Sequence, residues 1–315
     1  MITGRKELLQ NMKMTMTELR SGFEKSGYIC DEKTALTVYL ALDLQKPLLI
    51  EGAPGVGKTE MGKVLAAILN TNLIRLQCYE GLDETKALYE WNYQKQLLRI
   101  QMNRDLEDRE MNEDELFSDQ YLLERPLLKA IRSEHQSVLL IDEVDKCDPE
   151  FEAFLFEVLS DFQVSIPELG TIPAREIPVV VLTSNNEREL SDGLKRRCLY
   201  LYLDFPEIEK EVEIIKAKVP GVGDKLAWES ARVVAHLRNQ DDLRKKPSIA
   251  ETLDWTRALV SMNRNCLDGR LVADTLNLLI KTRSDQQLFS RQVGPDGINK
   301  LLRQGTNGGE ICGCR

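Results

Sequence analysis

Gly52-Ala53-Pro54-Gly55-Val56-Gly57-Lys58-Thr59 is the stretch on which the fold of this 315-residue chain turns. It satisfies the pattern GxxxxGK[ST], and its flanks are those the pattern needs. The apolar strand Leu48-Leu49-Ile50 runs into it, and a helical period from Lys58 to Leu69 runs out of it. Glycines let the backbone curl so that successive N–H groups converge on phosphate oxygens, and the following helix adds its positive N-terminal end. Lys58 then reaches the β- and γ-phosphates, and the Thr59 hydroxyl ligates Mg²⁺. Gly52, Pro54, Gly55, Val56, Gly57, Lys58 and Thr59 are therefore candidate nucleotide-binding residues, with ATP and Mg²⁺ as the expected cofactors.

Outward from this loop, strands and helices alternate. Leu73-Ile74-Arg75-Leu76-Gln77-Cys78 reads as a second strand. Ser137-Val138-Leu139-Leu140-Ile141 and Val179-Val180-Val181-Leu182-Thr183 are continuous apolar runs, as expected of buried parallel strands, and Leu199 to Phe205 reads as the last strand. Phe162 to Ile172 predicts a hairpin turning at Pro167-Glu168-Leu169-Gly170. Strands separated by helical patterns give a parallel α/β sheet. Beyond Pro206 the character changes: Ile208–Lys218, Lys225–Arg238, Ser248–Asn263 and Leu271–Arg283 are helical in period with no strand between them. The expected organisation is an N-terminal helical segment over 1–30, an α/β nucleotide-binding domain over 31–206 and an all-helical lid over 207–290. The glycine-rich tail, 291–315, is expected to be disordered. Glu80 to Gln120, with the acidic runs Asp105-Leu106-Glu107-Asp108 and Asn112-Glu113-Asp114-Glu115, reads as a solvated helix face.

Three further segments carry chemistry. Val138 to Ile141 delivers Asp142 and Glu143 to the end of a buried strand. Asp142 suits the Mg²⁺ shell beside the phosphate loop, and Glu143 suits a general base that polarises water toward the γ-phosphate. Leu182-Thr183-Ser184-Asn185-Asn186 places a polar side chain at a neighbouring strand tip; Asn185 can orient that water, whereas Asn186 already belongs to the turn. Lys195-Arg196-Arg197-Cys198, just before the last strand, offers an arginine that can stabilise γ-phosphate charge, commonly from a neighbouring subunit. Arg197 is the first choice there and Arg196 the second.

Composition narrows the class. The net charge of −9 argues against nucleic acid as a partner. No run approaches the roughly 18 uncharged apolar residues of a membrane span, and Met1 to Glu7 leads into an amphipathic pattern rather than a signal-peptide core. Seven scattered cysteines suit reduced thiols in a reducing compartment, so a cytoplasmic protein is expected. His135 and His236 lie in no metal or catalytic spacing, and Cys312-Gly313-Cys314, which could take a soft metal, has no further ligands nearby in sequence.

With these four segments in this order, followed by a helical lid, the chain resembles the AAA+ ATPases, a P-loop NTPase class, and more narrowly their MoxR branch. Gly52 to Thr59 followed by Glu60 is typical of that branch, which adds Glu60 to the nucleotide-binding set, and the hairpin after the Asp142-Glu143 segment is similar to an insert found there. Leu182 to Asp192 and Lys246 to Thr252 look closest to the CoxD group, associated with maturation of the molybdenum–copper site of carbon monoxide dehydrogenase. The resemblance, over about 25 to 285, implies a parallel α/β core with a C-terminal all-helical lid and a homo-oligomeric ring, often a hexamer. It implies ATP-driven remodelling of a client metalloenzyme with a von Willebrand factor A domain partner. It also implies Walker A at Lys58 and Thr59, Walker B at Asp142 and Glu143, sensor 1 at Asn185 and an arginine finger at Arg197 or Arg196. Relatives with gas-vesicle, denitrification or carboxylase-activation clients are close alternatives, and a small-molecule kinase sharing the phosphate loop is a more distant one. One departure stands out: many relatives carry a sensor arginine directly after a lid proline, and here Ser248 follows Pro247.

Overall fold

The computed structural model describes residues 14–104 and 116–303. Contacts divide the chain into two units. The larger comprises 14–26, 30–52 and 58–202; the smaller comprises 27–29, 53–57 and 203–303.

The larger unit begins with α1 (Met16–Lys25) and α2 (Glu32–Asp43), each started by a side-chain cap, Thr15 and Asp31. Then come β1 (Leu48–Gly52), α3 (Lys58–Ile68), β2 (Leu73–Gln77), a short α4 (Glu84–Ala87), β3 (Tyr89–Trp91), α5 (Tyr93–Arg104), β4 (Leu122–Glu124) and α6 (Pro126–Ile131). They are followed by β5 (Val138–Asp142), α7 (Pro149–Ser160), β6 (Gln163–Ile166), β7 (Gly170–Pro173), β8 (Val179–Ser184), α8 (Asp192–Arg197) and β9 (Leu199–Leu203). The main sheet has the order β2-β5-β8-β1-β9. Its central strands β1 and β5 are buried at every residue, as a parallel sheet covered on both faces requires. Register fixes the site: Gln77 lies opposite Asp142, Ile141 opposite Leu182, and Ile50 opposite Thr183. The tip of β8 therefore stands between the strand that enters the phosphate loop and the strand that ends in Asp142.

The hairpin β6–β7 is antiparallel and turns where the Pro-Glu-Leu-Gly signal put it. The stretch from Glu80 to Gln120 departs from expectation. It is not one solvated helix: β3 and β4 pair antiparallel, and Trp91 is buried, with Phe117 and Tyr89 edge-on at 5.3 and 5.9 Å. Tyr89-Glu90-Trp91 has the alternation and the aromatics that favour a strand, outvoting the acidic composition around it. The acidic runs themselves lie within 105–115, outside the described residues.

In the smaller unit are α9 (Ile208–Lys218), α10 (Asp224–Arg238), α11 (Ile249–Ser261), α12 (Gly269–Thr275), α13 (Arg283–Gln292) and α14 (Gly294–Arg303). Its core gathers Val234, Leu237, Trp255, Leu259, Val272, Leu279 and Phe289, and Trp255 donates Nε1–H to Thr275 Oγ1 at 2.8 Å. Two expectations are corrected here. The helical period from Leu271 to Arg283 is broken, because α12 ends at Thr275 and Thr282 caps a new helix. The expected disordered tail is ordered at its start: α14 buries Ile298 fully and docks where Gly269 leaves room for the Pro295 carbonyl. A Cβ at Gly269 would lie 1.9 Å from that oxygen, so the docking requires glycine there. Residues 304–315, with Cys312 and Cys314, lie outside the described residues.

Candidate active site

The C-terminal tips of β5 and β8 and the start of α3 bring five of the sequence candidates together. Lys58 is buried, and its Nζ donates to the Gly52 carbonyl at 2.8 Å. Burial pulls the Lys58 ammonium below its ordinary pKa, while Asp145, Asp142 and Glu143 push the other way. Thr59 Oγ1 donates to Asp142 Oδ1 at 2.9 Å, and Thr183 Oγ1 donates to the same oxygen. Asp142 Oδ2 accepts from Arg75. Thr183 in turn accepts the Glu143 backbone N–H at 2.9 Å, so one hydroxyl ties the tips of β5 and β8 together.

Glu143 follows the strand in the left-handed region, φ 58° and ψ 50°, which lifts its side chain out of the sheet. Its carboxylate accepts from Gln77 Nε2 at 3.0 Å and Lys146 Nζ at 2.7 Å, with Asn185 Nδ2 at 3.5 Å. It is one-third exposed and open to water. Asn185 is positioned by Asp145, whose Oδ2 accepts the backbone N–H groups of Asn185 and Glu187 at 3.1 and 2.9 Å. Asn186 takes the left-handed turn conformation, φ 59°.

The remaining candidates lie elsewhere. Glu60, in the first turn of α3, pairs with Lys63 at 3.3 Å on the surface. Gly55 and Gly57 have φ of 74° and 99°, a backbone that side-chain-bearing residues rarely adopt. Within the smaller unit Gly55 lies against Ser248: a Cβ at Gly55 would sit 2.4 Å from the Ser248 Cβ. Ser248 caps α11 in a full capping box with Glu251, and Arg238 holds the preceding Pro247 carbonyl at 2.8 Å. Arg197 is committed inside its own chain. Its Nε donates to Ser160 Oγ at 2.7 Å, its Nη1 to the Gly193 carbonyl at 2.9 Å, and its Cζ lies 4.1 Å over the Phe156 ring. Arg196 is exposed with no hydrogen-bond or ionic partner among the described residues.

Sequence reasoning missed Arg75, Gln77, Asp145 and Thr183. The first two carried a signal: polar residues two apart in an otherwise apolar strand must share one face. Cys78, Cys147 and Cys198 are free thiols; burial pushes Cys198 up to about 12. No cluster of three or more metal-ligating side chains occurs among the described residues, and none of their helices is long and apolar enough to cross a membrane.

Residues 47–198, just under half of the chain, match the family model of the AAA domain (dynein-related subfamily). An uncharacterized protein of Staphylococcus haemolyticus is 24% identical over 247 residues, covering 76% of this chain and 85% of that protein. One from Staphylococcus aureus is 26% identical over 227 residues, covering 70% and 78%. Among solved structures, the RuvB Holliday junction branch migration motor of Thermotoga maritima is 18% identical, covers 88% of this chain and 82% of its own, and has a TM-score of 0.47.

Proposed function

We propose that this chain, an ATP hydrolase whose residues 47–198 are an AAA domain on a parallel AAA+ core, works as a ring in which each subunit completes its neighbour's active site. The observation that carries this reading is the contrast at the end of α8. Arg197 is spent on Ser160, Gly193 and Phe156, whereas Arg196 is exposed and unpartnered among the described residues. An unpaired guanidinium on the surface is free to reach a phosphate held by another copy, so Arg196 replaces Arg197 as the first choice for the finger.

Within one chain the roles divide as follows. Lys58 neutralises phosphate charge from a buried position. Thr59 and Asp142, hydrogen-bonded to each other, are the hard oxygen pair that fits Mg²⁺. When bound, that ion neutralises charge on the β- and γ-phosphates. Glu143 takes the proton of the attacking water, and Asn185, braced by Asp145, orients that water. A carboxylate open to water suits hydrolysis rather than transfer to a bound acceptor.

The finer assignment rests on the likeness of Gly52 to Glu60, the β6–β7 hairpin and the Leu182–Asp192 segment to MoxR-type ATPases. On it, the ring is a cytoplasmic chaperone that remodels a molybdenum enzyme of the carbon monoxide dehydrogenase type with a von Willebrand factor A domain partner. The test of the ring is specific Mg²⁺-ATPase activity across a wide range of protein concentration. It is expected to rise with concentration and to drop on the order of a thousandfold in Arg196→Ala. A flat profile with a fully active variant overturns the shared site.

A further inference from the structure

A single arginine joins the two acids of the site. Arg75 and Gln77 lie two residues apart on β2, opposite Leu140 and Asp142 of β5, and therefore on one face of the strand. Arg75 Nη2 donates both to Asp142 Oδ2 and to Gln77 Oε1, each at 2.5 Å. A guanidinium can only donate, so it fixes which end of the Gln77 amide faces it. The other end, Nε2, is thereby turned toward Glu143 Oε2 at 3.0 Å. Asp142 is nearly inaccessible, at 3%, while the Arg75 side chain is 48% exposed. Arg75 is the one cation hydrogen-bonded to the Asp142 carboxylate among the described residues; the other donors, Thr59 and Thr183, are neutral hydroxyls.

We infer that Arg75 is a positioning residue that competes with Mg²⁺ for the Asp142 carboxylate it is bonded to, and yields that carboxylate to the metal nucleotide. The inference rests on reading Lys58, Thr59 and Asp142 as the Mg²⁺–nucleotide site. A guanidinium and a divalent cation compete for one buried carboxylate, and only the half-exposed guanidinium can move into water at small cost. By linkage, anything that holds Arg75 on Asp142 weakens metal binding to the same extent.

The test uses the full chain with Mn²⁺ and ADP, so that no turnover is needed, and reads free Mn²⁺ by electron paramagnetic resonance. Arg75→Gln is expected to bind Mn²⁺ roughly two- to fivefold more tightly than wild type, because the competing, half-exposed cation is gone. Arg75→Lys should fall between the two. In metal-free, nucleotide-free buffer Arg75→Gln should melt below wild type, with the gap closing once Mn²⁺ and ADP are added. Equal or weaker Mn²⁺ binding by folded Arg75→Gln overturns the inference. Should that variant not fold, Arg75→Lys decides it: wild-type Mn²⁺ affinity and wild-type melting together overturn it. If wild type itself takes up no Mn²⁺ with ADP, the nucleotide-site reading falls, and the arginine inference falls with it.

Discussion

At the scale of single residues, Glu143 combines strain with exposure. A left-handed conformation costs a side-chain-bearing residue about 1–2 kcal/mol, and such outliers collect where function over-determines the backbone. Here the Thr183 hydroxyl on its N–H and three donors on its carboxylate hold it in place. Glu143→Gln keeps the shape and removes the proposed base, so it should bind ATP normally and hydrolyse it on the order of a hundredfold or more slowly. Phosphate release measured beside a binding titration checks this, and undiminished turnover removes Glu143 from the mechanism. Lys58→Ala tests the opposite property. It deletes the buried ammonium proposed to meet the phosphates, and ATP affinity should collapse; near-wild-type affinity would contradict the role given to Lys58. In the smaller unit, Arg238 makes two bonds to the fully buried Glu211, at 2.6 and 2.9 Å, and stacks 4.4 Å over Phe205. Arg238→Ala leaves that carboxylate buried and alone, at a cost of about 3–5 kcal/mol. Replacing both partners by methionine should cost less than the single change, as chemical denaturation would show.

At the scale of elements, α5 is the one that does not fit its surroundings. Its only buried residue among those described is Gln96, while Tyr93, Leu97, Leu98 and Met102 are 58–65% exposed. Gln96 donates Nε2–H to the Leu116 carbonyl, so a polar bond, not an apolar stripe, anchors the helix. Leu98→Glu should therefore change stability by no more than about 0.5 kcal/mol, whereas burial of that leucine would make the change costly in a thermal melt. The same helix shows what can be read from sequence. The strands β1, β5 and β8 were legible because continuous apolar runs ending in glycine, acid or asparagine have few alternatives. Asp142, Glu143 and Asn185 were legible with them, since a strand delivers its last residues to one edge. The insert between Glu80 and Gln120 was not, because a three-residue strand such as β3 carries too little period to outweigh an acidic composition. Nor was α14 legible: glycine-rich composition argues for disorder, and only the three-dimensional fit of Ile298 and Gly269 argues against it. Arg75 and Thr183 escaped for a related reason. Their partners are 67 and 41 residues away in sequence, and only the register of β2, β5 and β8 brings them to Asp142.

At the scale of the whole molecule, the shared-site reading makes a prediction that no single-chain mechanism reproduces. Lys58→Ala has no working phosphate loop but keeps an intact Arg196. Arg196→Ala keeps the loop, Asp142 and Glu143 but has no finger to lend. Each variant alone should be inactive. Mixed in equal amounts and allowed to reassemble, an Arg196→Ala subunit that finds itself beside a Lys58→Ala subunit on the correct side receives a working arginine from it. Half the subunits carry an intact loop, and half of their neighbours carry an intact arginine, so about a quarter of wild-type activity should return whatever the ring size, because a head-to-tail ring repeats one heterologous contact. Inactivity of the mixture under conditions where wild type is assembled would mean that the arginine serves its own chain. The finger would then have to be sought among residues that reach the site in cis, and the exposure of Arg196 would need another cause.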